Sequence, residues 1–401
     1  MKQSFDFIIA GAGIIGTTIS LELKQKFPSS KILIIEKEKT PAYHSSGRNS
    51  GVLHAGFYYT SDSLKAKFCR DGNLALTNYA KEKKCKIIEC GKLVVTKNEE
   101  ELQSLETLVN RGNENKIEIY KITEKEAKEL DPRAKTYQHA LYSPRTSVVD
   151  PTEILISLQK DAKDLGIGLL FETEFKNKTK DGILTSKGEF STLHFINSGG
   201  LYADKIANKY GFSKDYTILP FKGLYLYSSE SPGAFKKHIY PVPNLNNPFL
   251  GVHHTITVNN TSKIGPTAIP AFWRENYEGF DRFKINEFTS IISKEMQLFF
   301  KANFNFRSLA LEEIKKYSRK YLVSKSSELA EGVELKNYVK WGKPGIRAQL
   351  LHKKTNSLVM DFLIEGDKNS THVLNAVSPA FTCSMPFSKY IVEKIENNLR
   401  A

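Results

Sequence analysis

One short arrangement constrains the fold of this chain more than any other. A glycine turn stands between a buried strand and a helix, and an acid closes the next strand. Residues 5–10 (FDFIIA) form a mostly apolar run and read as a buried strand. They lead into Gly11-Ala-Gly13-Ile-Ile-Gly16 and then a helical stretch from about 17 to 26, stopped by Pro28 and two serines. Residues 31–35 (KILII) read as a second buried strand, followed at once by Glu36. In such a unit Gly11 permits the tight turn, Gly13 lets the backbone approach a pyrophosphate, and Gly16 lets the helix pack close to the strand. The free N–H groups and dipole at the helix start favour phosphate. An acid where Glu36 stands suits ribose hydroxyls. The arrangement predicts an α/β fold with a Rossmann-type dinucleotide site. The fingerprint occurs once. A flavoprotein reduced by a nicotinamide would carry a second after a later strand, so a single one favours FAD reduced directly by a substrate.

The rest of the chain alternates. Residues 98–110 and 123–130 read as polar helices, and 151–165, opened by Asp150-Pro151-Thr152, as an amphipathic helix. Residues 190–196 read as a strand running into Asn197-Ser198-Gly199-Gly200, with a helix over 201–210, a second strand–glycine–helix unit beside the first. Residues 216–270 are rich in β-branched and aromatic residues punctuated by Pro and Gly, which predicts an antiparallel sheet. Residues 286–317 read as helical, 372–377 as a strand and 384–397 as a terminal helix.

Bulk properties exclude more than they select. With 40% apolar and 25% charged residues, the 401-residue chain is not a disordered one and has room for two domains. No apolar run approaches the roughly 20 residues of a membrane-spanning helix, and the N-terminus reads as no secretory signal. Cys69, Cys85, Cys90 and Cys383 form no Cys-x-x-Cys pair, so no metal site or redox dithiol is signalled. Reduced thiols suit the cytoplasm. The net charge of +14 fits nucleic acid, an anionic membrane or an acidic substrate without choosing among them. The lysines are dispersed rather than massed, so no nucleic acid is expected. A tRNA-modifying flavoprotein, the competing reading from another class, would bind RNA with a steep salt dependence.

The stretch 46–73, SGRNSGVLHAGFYYTSDSLKAKFCRDGN, is more specific. It resembles the L-2-hydroxyglutarate oxidase/dehydrogenase family, within the D-amino-acid-oxidase superfamily of flavoenzymes. The likeness recurs at FINSGGLYADKIA (195–207), LPFKGLYLY (219–227) and IYPVPNLNNPFLGVHHT (239–255). It continues at KIGPTAIPAF (263–272), GIRAQLL (345–351) and VLNAVSPAFTCSMPFSKYIVEKI (373–395), close to full length. Lys222, Leu224 and His254 depart from the family pattern, which has arginine, an acid and an aromatic residue there. The resemblance implies a discontinuous FAD domain (1–80, 140–212 and 340–401) and an inserted β-rich substrate domain (81–139 and 213–339).

The resemblance also implies oxidation of a small dianionic hydroxy acid, most directly L-2-hydroxyglutarate to 2-oxoglutarate. An amine or amino-acid oxidase and a glycerol-3-phosphate dehydrogenase are the alternatives within the superfamily. Removing hydride from the α-carbon requires a base for the hydroxyl proton, and histidine titrates near operating pH. His54 and His253 lie in the two most specific motifs, with His253 slightly preferred. Carboxylates call for a bidentate arginine. Arg347 leads, followed by Lys222 and Arg274, while Tyr59 and Tyr240 could hydrogen-bond the substrate. The FAD set is Gly11, Gly13, Ile14, Ile15, Gly16, Glu36 and Lys37 around the fingerprint. It continues with Ser45, Asn49, Ser50 and Gly51 in the first motif, then Phe175, and then Ser198, Gly199 and Gly200. Arg347 joins it, with Pro379, Ala380, Phe381 and Thr382 where the loop enters the terminal helix and favours the negative charge of a reduced flavin. The stretch 287–304 carries Ile291, Ile292, Met296, Phe299, Phe300 and Phe304 with lysines. Such a stripe packs in a core, or rests on the inner face of an anionic membrane and passes electrons to quinone rather than oxygen.

Overall fold

The structure, a computed structural model, describes residues 3–244, 250–301 and 306–400. Its central sheet is built on parallel strands. Gln3–Ala10 lies between Ile32–Ile35 and Gly188–Asn197, with Gly168–Leu170 beyond the former and Ser370–Asn375 beside the latter. Ala10 pairs with Ile35 on one side and Asn197 on the other. The carboxyl ends therefore align, and Gly11, Glu36 and Ser198 emerge along one edge, where an open α/β sheet binds its ligand. Both faces are covered, which explains the unbroken apolar strands. Ile9, Ile32 and Ile34 pack under the helices Ile14–Lys26, Leu64–Glu82, Pro151–Asp164 and Ala380–Arg400. Ile8, Leu33 and Ile35 face Phe195 and the hairpin Phe175–Thr179/Gly182–Thr185.

A second eight-stranded sheet runs in the order Tyr338–Trp341, Leu226–Ser228, Ser262–Gly265, His253–Ile256, His238–Pro241, Lys92–Val95, His139–Ser143 and Tyr120–Thr123. A smaller ladder pairs Tyr216–Gly223 with Gly345–His352, Phe221 opposite Arg347. The expected single antiparallel sheet over 216–270 is thus corrected. Those residues divide between two sheets, and His238–Pro241 pairs in parallel with Lys92–Val95 because its partner comes from a distant segment of chain.

Helix boundaries moved for local reasons. The first helix begins at Ile14, because its open end lies against the turn itself. Within the expected helical stretch 286–317 the described residues form the helices Ile285–Lys301 and Phe306–Lys315. The terminal helix starts at Ala380 and carries Pro386 inside it, so Ala380, Phe381 and Thr382 belong to its first turn. Helix Leu64–Glu82 went unread, hidden inside a stretch that was legible as a motif. It is capped by the Ser63 side chain accepting from the Ala66 N–H. Segment 245–249 of the YPVP…GVHHT motif, and Phe304, lie outside the described residues.

Candidate active site

The aligned strand ends open onto a cavity of about 760 Å³. A neighbouring cavity of about 230 Å³ shares Gly13, Ser45, Ser46, Ser198 and Gly200 with it. The turn is shaped by exclusion. Gly11 has φ +108°, and a Cβ there would lie 2.5 Å from the Ser198 carbonyl oxygen. A Cβ on Gly16 would lie 2.0 Å from the Gly11 oxygen, so Gly16 packs the helix and does not line either cavity. The helix has no acid in its first turn and no capping side chain from Gly13, so beyond the Ser46 hydroxyl that accepts the Ile14 N–H its start suits an anion. Glu36 accepts from the Ala12 N–H at 2.9 Å and the Glu38 N–H at 3.0 Å, which holds its carboxylate at the strand end. Lys37, Phe175, Ser198 and Gly199 line the same cavity. Gly51 lines neither; its positive φ and the Val149 oxygen 2.3 Å from a would-be Cβ give it a packing role.

A segment of the β-rich half closes over this cavity. Arg282 donates to Glu38 and Glu275, Lys37 donates to Glu275 at 2.7 Å, and His44 lies 2.8 Å from Glu38. Burial pushes the Glu275 carboxyl up, but Lys37 and the hydrogen bonds outweigh it and hold it at about 2. Glu38, His44 and Glu275 converge as metal ligands would, yet the cations Lys37 and Arg282 already occupy both carboxylates.

The smaller cavity gathers several of the candidate reacting groups. Arg347 and Phe221, cross-strand neighbours, line it with Tyr225, His54 and Asn49. Ile14, Ile15, Ser50 and Pro379, Ala380, Phe381 and Thr382 complete the wall. The Thr382 hydroxyl accepts from the His54 N–H at 3.1 Å, tying the terminal helix start to the first motif. The His54 ring is pushed well below its usual value by burial, then by Lys92, His253, His238 and Arg347. The shift favours the neutral ring over the imidazolium.

The other catalytic candidates do not reach the cavity wall. His253 stacks on Tyr240 at 3.6 Å, its Nδ1 2.8 Å from the Gly251 oxygen, and neither ring lines the cavity. Lys222 does not line the cavity, although Phe221 and Gly223 on either side of it do. Arg274 is locked in a buried fork, with both of its Asp204 contacts at 2.7 Å. Tyr59 lies behind the wall, its ring 5.8 Å from the Lys65 ammonium. Sequence reasoning missed Ser46, which accepts from the Ile14 N–H at 2.9 Å, although it adjoins Ser45 in the first motif. It also missed Tyr225 and Lys263. The Lys263 Nζ donates to the Ser50 oxygen at 3.2 Å and sits 4.4 Å from the Tyr225 ring centroid. Burial lowers Lys263 to about 8.

A parallel sheet ending at a glycine turn and an acid, with a second cavity walled by another sheet, is the arrangement of a flavin-nucleotide oxidoreductase. The chain belongs to the DAO family of FAD dependent oxidoreductases, whose model matches residues 6–394. FAD is its cofactor, and the open helix start, the close-approach turn and the joined cavities fit that molecule. The chain is 33% identical to the mitochondrial L-2-hydroxyglutarate dehydrogenase of Bos taurus, covering 99% of this chain and 90% of that protein. It is 35% identical to the L-2-hydroxyglutarate dehydrogenase of Indibacter alkaliphilus, covering 98% of each. Among solved structures, the FAD-bound L-alpha-glycerophosphate oxidase of Mycoplasma pneumoniae has the same fold, with a TM-score of 0.77 and 22% identity over 98% of this chain and 95% of that one.

Proposed function

We propose that the protein oxidises L-2-hydroxyglutarate to 2-oxoglutarate, with His54 as base and Arg347 as the anchor of the α-carboxylate. The observation that carries this is the convergence of an imidazole and a guanidinium on one cavity whose wall includes the first turn of the terminal helix. FAD supplies the two-electron acceptor for the hydride leaving the α-carbon. His54 takes the hydroxyl proton, and the planar fork of Arg347 fixes the carboxylate so that the α-hydrogen has one orientation. The N-terminus of the 21-residue helix Ala380–Arg400 favours negative charge in the adjoining cavity. The FAD-binding body is read as 1–80, 140–212 and 340–401, and the substrate lobe as 81–139 and 213–339. Full-length likeness to dehydrogenases of this substrate supports the reading.

Anaerobic mixing with L-2-hydroxyglutarate tests it, followed at about 450 nm, where oxidised flavin absorbs. Bleaching that the D-enantiomer does not give is the expected result. Bleaching only by amino acids or glycerol-3-phosphate would sink the substrate assignment.

A second observation supports a quinone, rather than oxygen, as electron acceptor at the inner face of a membrane. Among the described residues no helix is long and apolar enough to cross a membrane. The helices Ile285–Lys301 and Phe306–Lys315, however, leave Met296, Phe300, Leu311 and Ile314 half-exposed or more. Lys294, Lys301, Arg307 and Lys315 accompany them. An apolar ridge among cations suits an anionic membrane surface.

A further inference from the structure

Lys92 is a lysine in an unusual place. It is fully buried at the centre of the second sheet, and its Nζ has no hydrogen-bond partner among the described residues. Three aromatic rings enclose it, with Tyr240 at 4.2 Å, Tyr58 at 5.3 Å and Phe57 at 5.7 Å from ring centroid to nitrogen. A buried ammonium without a counter-charge is costly and persists where something compensates it. Among the described residues the charge partners acting on Lys92 are the thiols Cys69 and Cys90 rather than a carboxylate. Burial lowers it to about 7. Two more buried polar atoms beside it lack partners, the Tyr58 hydroxyl and His54 Nδ1.

Lys92 and Tyr58 line neither cavity and lie behind the stretch of wall that carries His54. Val94 and Tyr240 pack with Ala55 and Phe57, in the same segment that carries His54 to the cavity, and Lys92 shares the face of Val94. His54 feels both Lys92 and Arg347 as cationic neighbours. A dianion held by Arg347 and His54 has one further carboxylate to place, and Lys92 is the strongest cationic neighbour of His54.

We propose that Lys92, with the Tyr58 hydroxyl beside it, binds the second carboxylate of the substrate and so makes the enzyme select a dicarboxylate over a monocarboxylate. This rests on the assignment of His54 and Arg347 above. The ion pair formed with the incoming carboxylate is the compensation this buried ammonium needs.

The test uses the FAD-loaded enzyme with Lys92→Met and Lys92→Gln. Both remove an unpaired buried cation, so the fold is expected to hold. Flavin content and melting temperature check this for each. Anaerobic reduction by L-2-hydroxyglutarate gives Kd and the limiting rate. Competition by valerate, a five-carbon acid with one carboxylate, reports the Arg347 end alone. Kd for L-2-hydroxyglutarate is expected to rise about 100-fold or more, with the limiting rate and the valerate inhibition constant each changing less than about threefold. A Kd rise below about tenfold overturns the proposal. So does a parallel rise for valerate, or a fall in limiting rate at unchanged Kd, which would make Lys92 a positioning residue for His54. If the unsubstituted enzyme is not reduced by L-2-hydroxyglutarate at all, the substrate assignment falls too, and that arm separates the two failures.

Discussion

At the scale of single residues, the two histidines show how little chemical identity alone decides. His54 and His253 lie in equally specific motifs, and both are pushed well below the usual imidazole value by burial. What separates them is contact. His253 is fixed between the Tyr240 ring and the Gly251 carbonyl, whereas His54 stands at the cavity wall. His54→Gln is therefore expected to keep FAD but slow flavin reduction at saturating substrate by about 100- to 10,000-fold, the usual worth of a general base. His253→Gln should lose less than tenfold. Stopped-flow reduction of the two variants measures both, and a wild-type limiting rate in His54→Gln would remove it as base. Arg347 and Lys222 give the same lesson. Both are cations in family motifs on paired strands, but only Arg347 lines the cavity.

At the scale of elements, the strand–turn–helix unit was legible because each of its parts is a local requirement. Buried β-runs, a turn with no room for a Cβ at Gly16 and an acid after the next strand all show in the first 36 residues. The amphipathic stretch 287–304 was legible only as an ambiguity. In the fold, Ile291 and Leu298 enter the core with Phe306, Phe299 packs against it, and Met296 and Phe300 turn outward. The stripe is thus wider than its core contact, and the excess continues onto Leu311 and Ile314 of the next helix. The protein should co-sediment with vesicles containing anionic lipid and be released as salt rises through about 0.5 M, where charges are screened within a few ångströms. Met296→Glu with Phe300→Glu should abolish sedimentation while leaving reduction by the hydroxy acid intact. Unchanged binding of that double variant to the vesicles would rule this face out.

At the scale of the whole molecule, buried imidazoles set the response to pH. His54, His194, His238, His253, His254 and His372 are all lowered, the last two to about 3, with burial the largest cause in each. Below about 6.5 the unfolded chain takes up protons that the fold refuses, so stability falls as pH drops from that value toward the folded values. Lys92 and Lys263, lowered to about 7 and 8, act with the same sign at higher pH, because the unfolded lysines stay protonated to about 10.5. The urea midpoint should accordingly be lower at pH 5 than at pH 7, and higher at pH 8.5 than at pH 7. A midpoint flat across this range would mean that these groups titrate alike in both states. The sequence by itself determined the dinucleotide turn, the cofactor class and the motifs that supply the site. Those depend on spacings of a few residues and on steric demands that side-chain identity carries. Only the tertiary structure decided which candidates meet. Strand phase, cross-sheet stacking and the placing of Lys92 beside His54 arise from pairings between segments far apart in the chain, which no local pattern encodes.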